Sequence, residues 1–497
     1  MATTTVMTAA TAARSERLGR GRMAAVNAFW FGQAAHWQPL FISLVPVSAL
    51  LVVSHKDADL LIGRATAAGG VFALLVPILA GFLSDRTRSR WGRRRPWMVA
   101  GTALNVLGLG LLAAAVSPLF LVLAYLVVQG SNNVAGAAYA GIIPDVVPAS
   151  QRGTASGMLG TMNGVGTVAG VGAVFVVLTV LGSTRAGVVA GYACVAIILL
   201  LTLLITVRAA HEQPSDHLPA APRIALSRNA LATGALFALT TLGVLVMLVA
   251  PLGGALLPLA LGTTLTAAGT VALGARMPAL RAFFSAFRDH DFFWTFATRA
   301  LMQMGIFSIV PFMTLYFSDV VDAGRPGSHN AGAESALWLL AVLGAGIAPA
   351  LIGGHLSDRW HRRKRFVYIA GALQVGAASV LLFSLIGTPL ALYGLGIVFG
   401  VGYGMYYAVD WALACDVLPD ADRAAGRDMA LWHIALTLPQ VLAPAILAGV
   451  LHRLNESGHH FLGMSTGHNL GFRMVFGSAA VWFALGTLMV HRIRKVR

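Results

Sequence analysis

At 497 residues, with 57% hydrophobic and 11% charged side chains, the chain is far from the soluble average of about 25% charged residues. A mean hydropathy of +0.76 excludes an ordinary water-soluble domain. The formal net charge of +16 would suit a nucleic-acid binder, but its placement argues otherwise. Of the 35 Lys and Arg residues, 28 fall in loops on one side of the apolar runs. That is the positive-inside pattern; it puts both termini in the cytoplasm and leaves no basic face for nucleic acid.

In chain order, residues 1–25 form a polar tail without a cleavable signal, because the apolar run that follows is too long for a signal core. Crossing the hydrocarbon takes about 20 apolar residues. The runs 26–53, 61–84, 97–116, 119–143, 154–181 and 187–207 meet that length. Residues 229–275 carry no charged side chain and are too long for one crossing, and Pro251-Leu252-Gly253-Gly254 marks a turn between helices at 229–250 and 255–275. Six more runs follow at 292–318, 335–356, 366–386, 389–413, 429–451 and 473–490. The expectation is an all-α polytopic membrane protein with 14 transmembrane helices. A tail (1–25) and a six-helix bundle (26–208) precede a central linker with two extra helices (209–291), a second bundle (292–490) and a short tail (491–497). Cys194 and Cys415 lie at different membrane levels, so no disulfide is expected.

The halves repeat. Gly81 to Arg95 (GFLSDRTRSRWGRRR) returns as Gly354 to Arg365 (GHLSDRWHRRKR). Asp85 and Asp358 are 273 positions apart, Asp145 and Asp416 are 271 apart, and Gln33 and Gln303 are 270 apart. Near-equal offsets over this length argue for duplication, which is how many carriers are built.

A short basic loop with one fixed acid between two membrane helices resembles the signature of the major facilitator superfamily. Within it, Ser84 to Trp97, Gln129-Gly130-Ser131-Asn132-Asn133, Ile143 to Pro148, Tyr403 to Leu413 and Leu438-Pro439-Gln440 resemble the glycoside–pentoside–hexuronide cation symporters and related sucrose/proton symporters. The resemblance implies two six-helix bundles around a central cavity lined by helices 1, 4, 7 and 10. It also implies a conformational latch on the basic side, drawn here from Gly81, Asp85, Arg86, Arg93, Asp358 and Arg359, with Gly81 allowing close helix packing. The alternative is that the arginines set topology and bind anionic headgroups. Gln129 stands where sucrose symporters carry an acid, and residues 65–83 lack the paired acids of melibiose-type sodium symporters. A sodium site is therefore not expected, and a proton would need another carrier.

Buried ionisable residues are costly in a membrane and are functional candidates. Arg299 and Asp410 lie inside apolar runs that the resemblance places side by side, so an ion pair is expected. His36, near the middle of the first run, is the second candidate for proton coupling. Trp30, Gln33, His36, Trp37, Asn132, Asn133, Gln303 and Trp411 are the candidate substrate contacts, since aromatic rings flanked by amides suit a sugar's apolar face and hydroxyl rim. Gly164, Gly166, Gly170 and Gly172 read as close-packing positions of helix 5 rather than as a phosphate loop. His452, His459, His460 and His468 lack metal-ligand spacing.

The expected function is alternating-access transport, a proton-coupled symport of a sugar or glycoside. The alternatives are a proton-driven exporter of drugs or natural products, or a non-transporting sensor on a carrier fold. No enzyme activity and no cofactor are expected, with the proton gradient as driving force. The partners expected are a small-molecule substrate and membrane lipid, for a monomer in the cell membrane.

Overall fold

The computed structural model describes residues 17–148, 151–212, 285–322, 330–360, 362–383, 386–417, 425–456 and 469–495, with isolated positions between them. With no water in a bilayer, each crossing backbone must satisfy its own polar groups, and helices do so. They are α1 (Arg20–Val52), α2 (His55–Arg86), α3 (Arg95–Ala114), α4 (Pro118–Val146), α5 (Arg152–Leu181) and α6 (Arg185–Ala209). The second half supplies α7 (His290–Val321), α8 (Ala331–Trp360), α9 (Arg363–Phe383), α10 (Pro389–Asp416), α11 (Ala425–Glu456) and α12 (Leu470–Met489). Among the described residues, 11 helices are long and apolar enough to cross a membrane. The 32-residue α2 has the length as well. The central helices expected at 229–250 and 255–275 lie, apart from scattered positions, outside the described residues. A two-residue antiparallel ladder, His460–Phe461 with Met464–Ser465, follows α11.

Local chemistry explains the irregularities. Proline lacks the N–H that closes a helical turn. In α1 a π-helical segment, Leu40–Leu44, fills the interval between Pro39 and Pro46. In α7 a 3₁₀ turn spans Val310–Phe312 at Pro311, and π-helical Phe317–Val321 ends the helix. The starts of α4 and α10 repeat one another. Ser117 precedes Pro118 and caps the helix by accepting the Phe120 N–H at 3.3 Å, and Thr388 precedes Pro389.

The chain divides into two compact units. The first draws on Met1–Leu44, Phe72–Leu181 and Arg185–Arg223, the second on Val45–Val71, Gly182–Thr184 and Ile224–Arg497. In the first, α1 packs on α5 and α6, and α3 on α4 and α6. In the second, α7 packs on α11 and α12, and α9 on α10 and α12. Each of these four pairings in the first unit thus returns six helices later, the structural counterpart of the sequence repeat.

Close packing depends on residues without side chains. Gly166 and Gly170 of α5 lie directly on the α1 backbone at Phe31 and Ala35, where a Cβ would collide with main-chain atoms. This is the packing expected of the glycine-rich run at two of its four positions; at Gly164 and Gly172 a Cβ would meet nothing within 4 Å among the described residues, so close packing is not what those two glycines provide. Large apolar side chains such as Leu107, Val180, Ile352 and Leu488 cover outer faces, which suits a protein solvated by lipid.

Candidate functional site

The first unit brings α1 and α4 together through aromatic rings. Trp30 stacks on Tyr139 (centroids 5.8 Å apart, planes at 21°), and Tyr139 donates its hydroxyl to Asn27 Oδ1 at 3.2 Å. Trp30 therefore packs against the hydrophobic core of this unit. Trp37 lies 6.5 Å from Tyr125 of α4 and 6.1 Å from the ring of His36. Gln33 is buried and His36 fully so, and neither ring nitrogen of His36 has a hydrogen-bond partner among the described residues. On α4, Asn133 is turned back to the Gln129 carbonyl at 2.8 Å. Gln129 Oε1 and Asn132 Oδ1 are buried without a partner among the described residues. Polar atoms left unsatisfied in a buried place carry a desolvation cost that a solute's hydrogen bonds would relieve.

The second unit holds the buried charges. Arg299 lies on α7 and Asp410 on α10, at 4% and 2% exposure, and Arg299 Nη1 donates to Asp410 Oδ2. The other carboxylate oxygen accepts the Tyr406 hydroxyl at 2.9 Å. Trp432 of α11 lies face-on beneath the guanidinium, its centroid 3.5 Å from the central carbon. One turn along α7, Gln303 Nε2 donates to the Tyr407 hydroxyl at 3.1 Å, and Tyr407 rests against Tyr403 at 4.6 Å. Helical spacing builds this face: Arg299 and Gln303 are four apart on α7, as are Tyr403 and Tyr407, and Tyr406 and Asp410, on α10. Arg299 Nε, Gln303 Oε1, Thr295 Oγ1 and Thr298 Oγ1 remain buried without partners among the described residues. The side chain of Trp411 lies outside the described residues.

At the basic ends of the helices, Arg93 makes a two-pronged contact with Asp145 at the end of α4, Nε to Oδ2 at 3.0 Å and Nη2 to Oδ1 at 2.6 Å. Arg86 and Arg359 are exposed, and the side chains of Asp85 and Asp358 lie outside the described residues. At Gly81, the signature glycine expected to allow close packing, a Cβ would meet nothing within 4 Å among the described residues.

Residues 29–444 match the family model described as Major Facilitator Superfamily. The chain belongs to the major facilitator superfamily. Solved structures of other transporters share the fold at low identity. A peptide transporter POT variant in complex with sulfate matches with a TM-score of 0.65 and 15% identity, over 95% of each chain. A bacterial homolog of the human lysosomal transporter Spinster, inward-facing and unoccupied, matches at 0.61 and 13%, over 97% of this chain and 98% of that one. A nucleoside transporter, NupG, matches at 0.58 and 12%, over 95% and 100%. An uncharacterized symporter of Synechocystis sp. is 51% identical over 41 residues, a segment that spans 8% of each chain.

This superfamily member carries functional candidates that the sequence reading passed over. Tyr406 and Tyr407 sit in the segment 403–413, where the four-residue spacing to Asp410 and Tyr403 was a usable signal. Trp432 offered none, because its contact with Arg299 joins α11 to α7 across 133 positions.

Proposed function

We propose that this transporter of the major facilitator superfamily is a secondary active symporter, in which a small polar solute moves with a proton by alternating access. A sugar or glycoside is the favoured class. The Arg299–Asp410 pair carries the proposal. Two charges buried between membrane helices are expensive to keep, and the cost is met only while each faces the other. A proton arriving on Asp410 cancels one charge, releases Arg299 from its partner and leaves the Tyr406 hydroxyl and the Trp432 ring to reorganise. Proton binding and helix rearrangement thereby become one event. The polar solute reading draws on Trp37, Tyr125, Gln129 and Asn132 in the first unit and on Gln303, Tyr403 and Tyr407 in the second, rings beside amides. The basic loops support cytoplasmic termini for a protein of the cell membrane.

The decisive experiment is uptake into proteoliposomes of labelled sugars and glycosides, with and without an imposed inward proton gradient. Gradient-dependent accumulation of a member of the panel, lost in Asp410→Asn, is the expected result. Accumulation that ignores the gradient would remove proton coupling, and a panel without a transported member would remove the sugar class.

A further inference from the structure

The chain leaves α6 at Ala209 and turns within three residues onto the basic loop between α2 and α3. Arg22 of α1 steadies the turn, its Nε donating to the Ala209 carbonyl at 3.2 Å and its Nη2 lying 3.0 Å from His211 Nδ1. Glu212 then reaches the start of α3. Oε1 accepts the backbone N–H groups of Arg93 and Arg94, both at 2.8 Å, and Oε2 accepts those of Arg94 at 3.0 Å and Arg95 at 3.2 Å. A helix cannot satisfy its first N–H groups internally, and its dipole favours an anion there. Gly92 makes the approach possible. Its φ of +90° suits glycine, and a Cβ at that position would collide with the Glu212 carboxylate.

Two of the three residues whose backbone Glu212 holds, Arg93 and Arg94, also grip α4 through their side chains. Arg93 forks onto Asp145, Arg94 Nε lies 3.3 Å from the same carboxylate, and Arg94 Nη1 donates to Ser84 Oγ of α2 at 2.6 Å. One carboxylate fixes the main chain of the loop, and a second takes its guanidinium groups. We propose that Glu212 is a positioning residue that docks the start of the linker between the two halves onto the first basic loop and sets Arg93 and Arg94 on Asp145. Displacing Glu212 then loosens the hold of that loop on α4. The linker becomes the handle through which the loop is clamped or released, whatever solute or ion is carried.

Hydrogen–deuterium exchange on the full-length protein in detergent tests this without a solute. In Glu212→Ala, amide exchange should rise roughly tenfold or more both at Arg93–Arg95 and at the end of α4 around Asp145, as loss of a charge-assisted contact implies. Exchange across α7 to α12 should stay at the parent level, which also verifies folding. Glu212→Gln keeps the side-chain shape and one acceptor; it should give a smaller rise at both places, and it carries the test should Glu212→Ala fail to fold. In Glu212→Ala combined with Asp145→Asn, the end of α4 should exchange no faster than in Asp145→Asn alone, because both act through one grip. A rise confined to Arg93–Arg95 would make Glu212 a plain helix cap and overturn the proposal. So would multiplied effects in the double variant, or no rise at all.

Discussion

Arg363 meets Asp416 at 2.9 Å, and the pair repeats the contact of Arg93 with Asp145 at 2.6 Å in the other half. The arginines are 270 positions apart and the acids 271. In both halves a guanidinium at the entry to the third helix of its bundle, Arg93 just before α3 and Arg363 at the first position of α9, closes on the acid at the end of the fourth. Duplication has thus preserved an interaction as well as a motif. The Asp416 carboxylate is 40% exposed and that of Asp145 18% exposed, and Asp145 also takes Arg94.

That asymmetry sets the first prediction. Asp145→Ala should cost about 1.5–3 kcal/mol, because it strips charge-assisted hydrogen bonds from two partly buried guanidinium groups. Asp416→Ala should cost about 0–1 kcal/mol, as it meets a single guanidinium among the described residues and solvent screens its 40% exposed carboxylate. Thermal unfolding of the two purified variants, followed by tryptophan fluorescence, compares them directly. Equal shifts in Tm would mean that the second arginine at Asp145 contributes nothing.

Glycines at a close helix contact and glycines with open space beside them should respond oppositely to substitution. Gly170→Val places side-chain atoms where the Ala35 backbone already is, so α5 must lift from α1 and the yield of folded protein should collapse. Gly172, two residues on, has nothing within 4 Å of an added Cβ, and Gly172→Ala should express like the parent. Gly81→Ala should also fold normally, for the same reason. Size-exclusion chromatography of the three variants is the measurement, and a folded Gly170→Val would refute the close contact with α1.

A third prediction concerns pH. Asp289 caps α7, accepting the N–H groups of Asp291 and Phe292 at 3.0 Å each, and Lys495 of the C-terminal tail reaches it at 2.9 Å. Burial pushes the carboxyl up, but the two amides and the Lys495 ammonium outweigh it and hold the group below the ordinary aspartate range. A folded-state pKa below the unfolded one means stability that is complete above the unfolded value, about 3.9, and lost as pH falls through the folded value. Asp289→Ala should therefore lower stability by about 1 kcal/mol at neutral pH, the usual worth of a cap. The gap to the parent should narrow below about pH 4, where the parent's carboxyl takes up its proton. Chemical denaturation at neutral and acid pH reads both values; a gap that widens on acidification contradicts the assignment.

What was legible in the sequence follows from how each interaction is encoded. Long apolar runs dictate spanning helices, and a charge inside such a run stands out, so Arg299 and Asp410 could be singled out without coordinates. The doubled basic loop could be read because its residues are contiguous. Trp432 could not, since aromatic rings are common in membrane helices and nothing local marks the one that faces a guanidinium. Glu212 was equally silent, as its partners are backbone N–H groups that any residue provides. Gly81 is a related case: glycine records that a side chain is missing, and it does not say what fills the space. The central helices expected at 229–250 and 255–275 fall, apart from scattered positions, outside the described residues.

The buried pair gives the last prediction. Arg299→Ala would leave the Asp410 carboxylate facing Tyr406 alone in a membrane interior, a loss worth about 3–5 kcal/mol unless the acid takes up a proton. The variant should therefore express poorly at high pH and better at low pH, because protonation removes the uncompensated charge. Asp410→Asn strands Arg299 instead, and a guanidinium cannot discard its proton, so lowering the pH should not rescue that variant. The Trp432 ring still faces Arg299 and softens the penalty by about 0.5–2 kcal/mol, so Trp432→Leu should aggravate Asp410→Asn more than it harms the parent. Arg299→Ala combined with Asp410→Asn removes both charges and should recover folded protein, while gradient-driven accumulation stays lost. Yields of monodisperse protein across pH, with uptake into proteoliposomes for the variants that fold, separate these outcomes. If Asp410→Asn folds well and accumulates solute like the parent, the pair is only a structural tie, and His36 becomes the residue to examine for proton coupling.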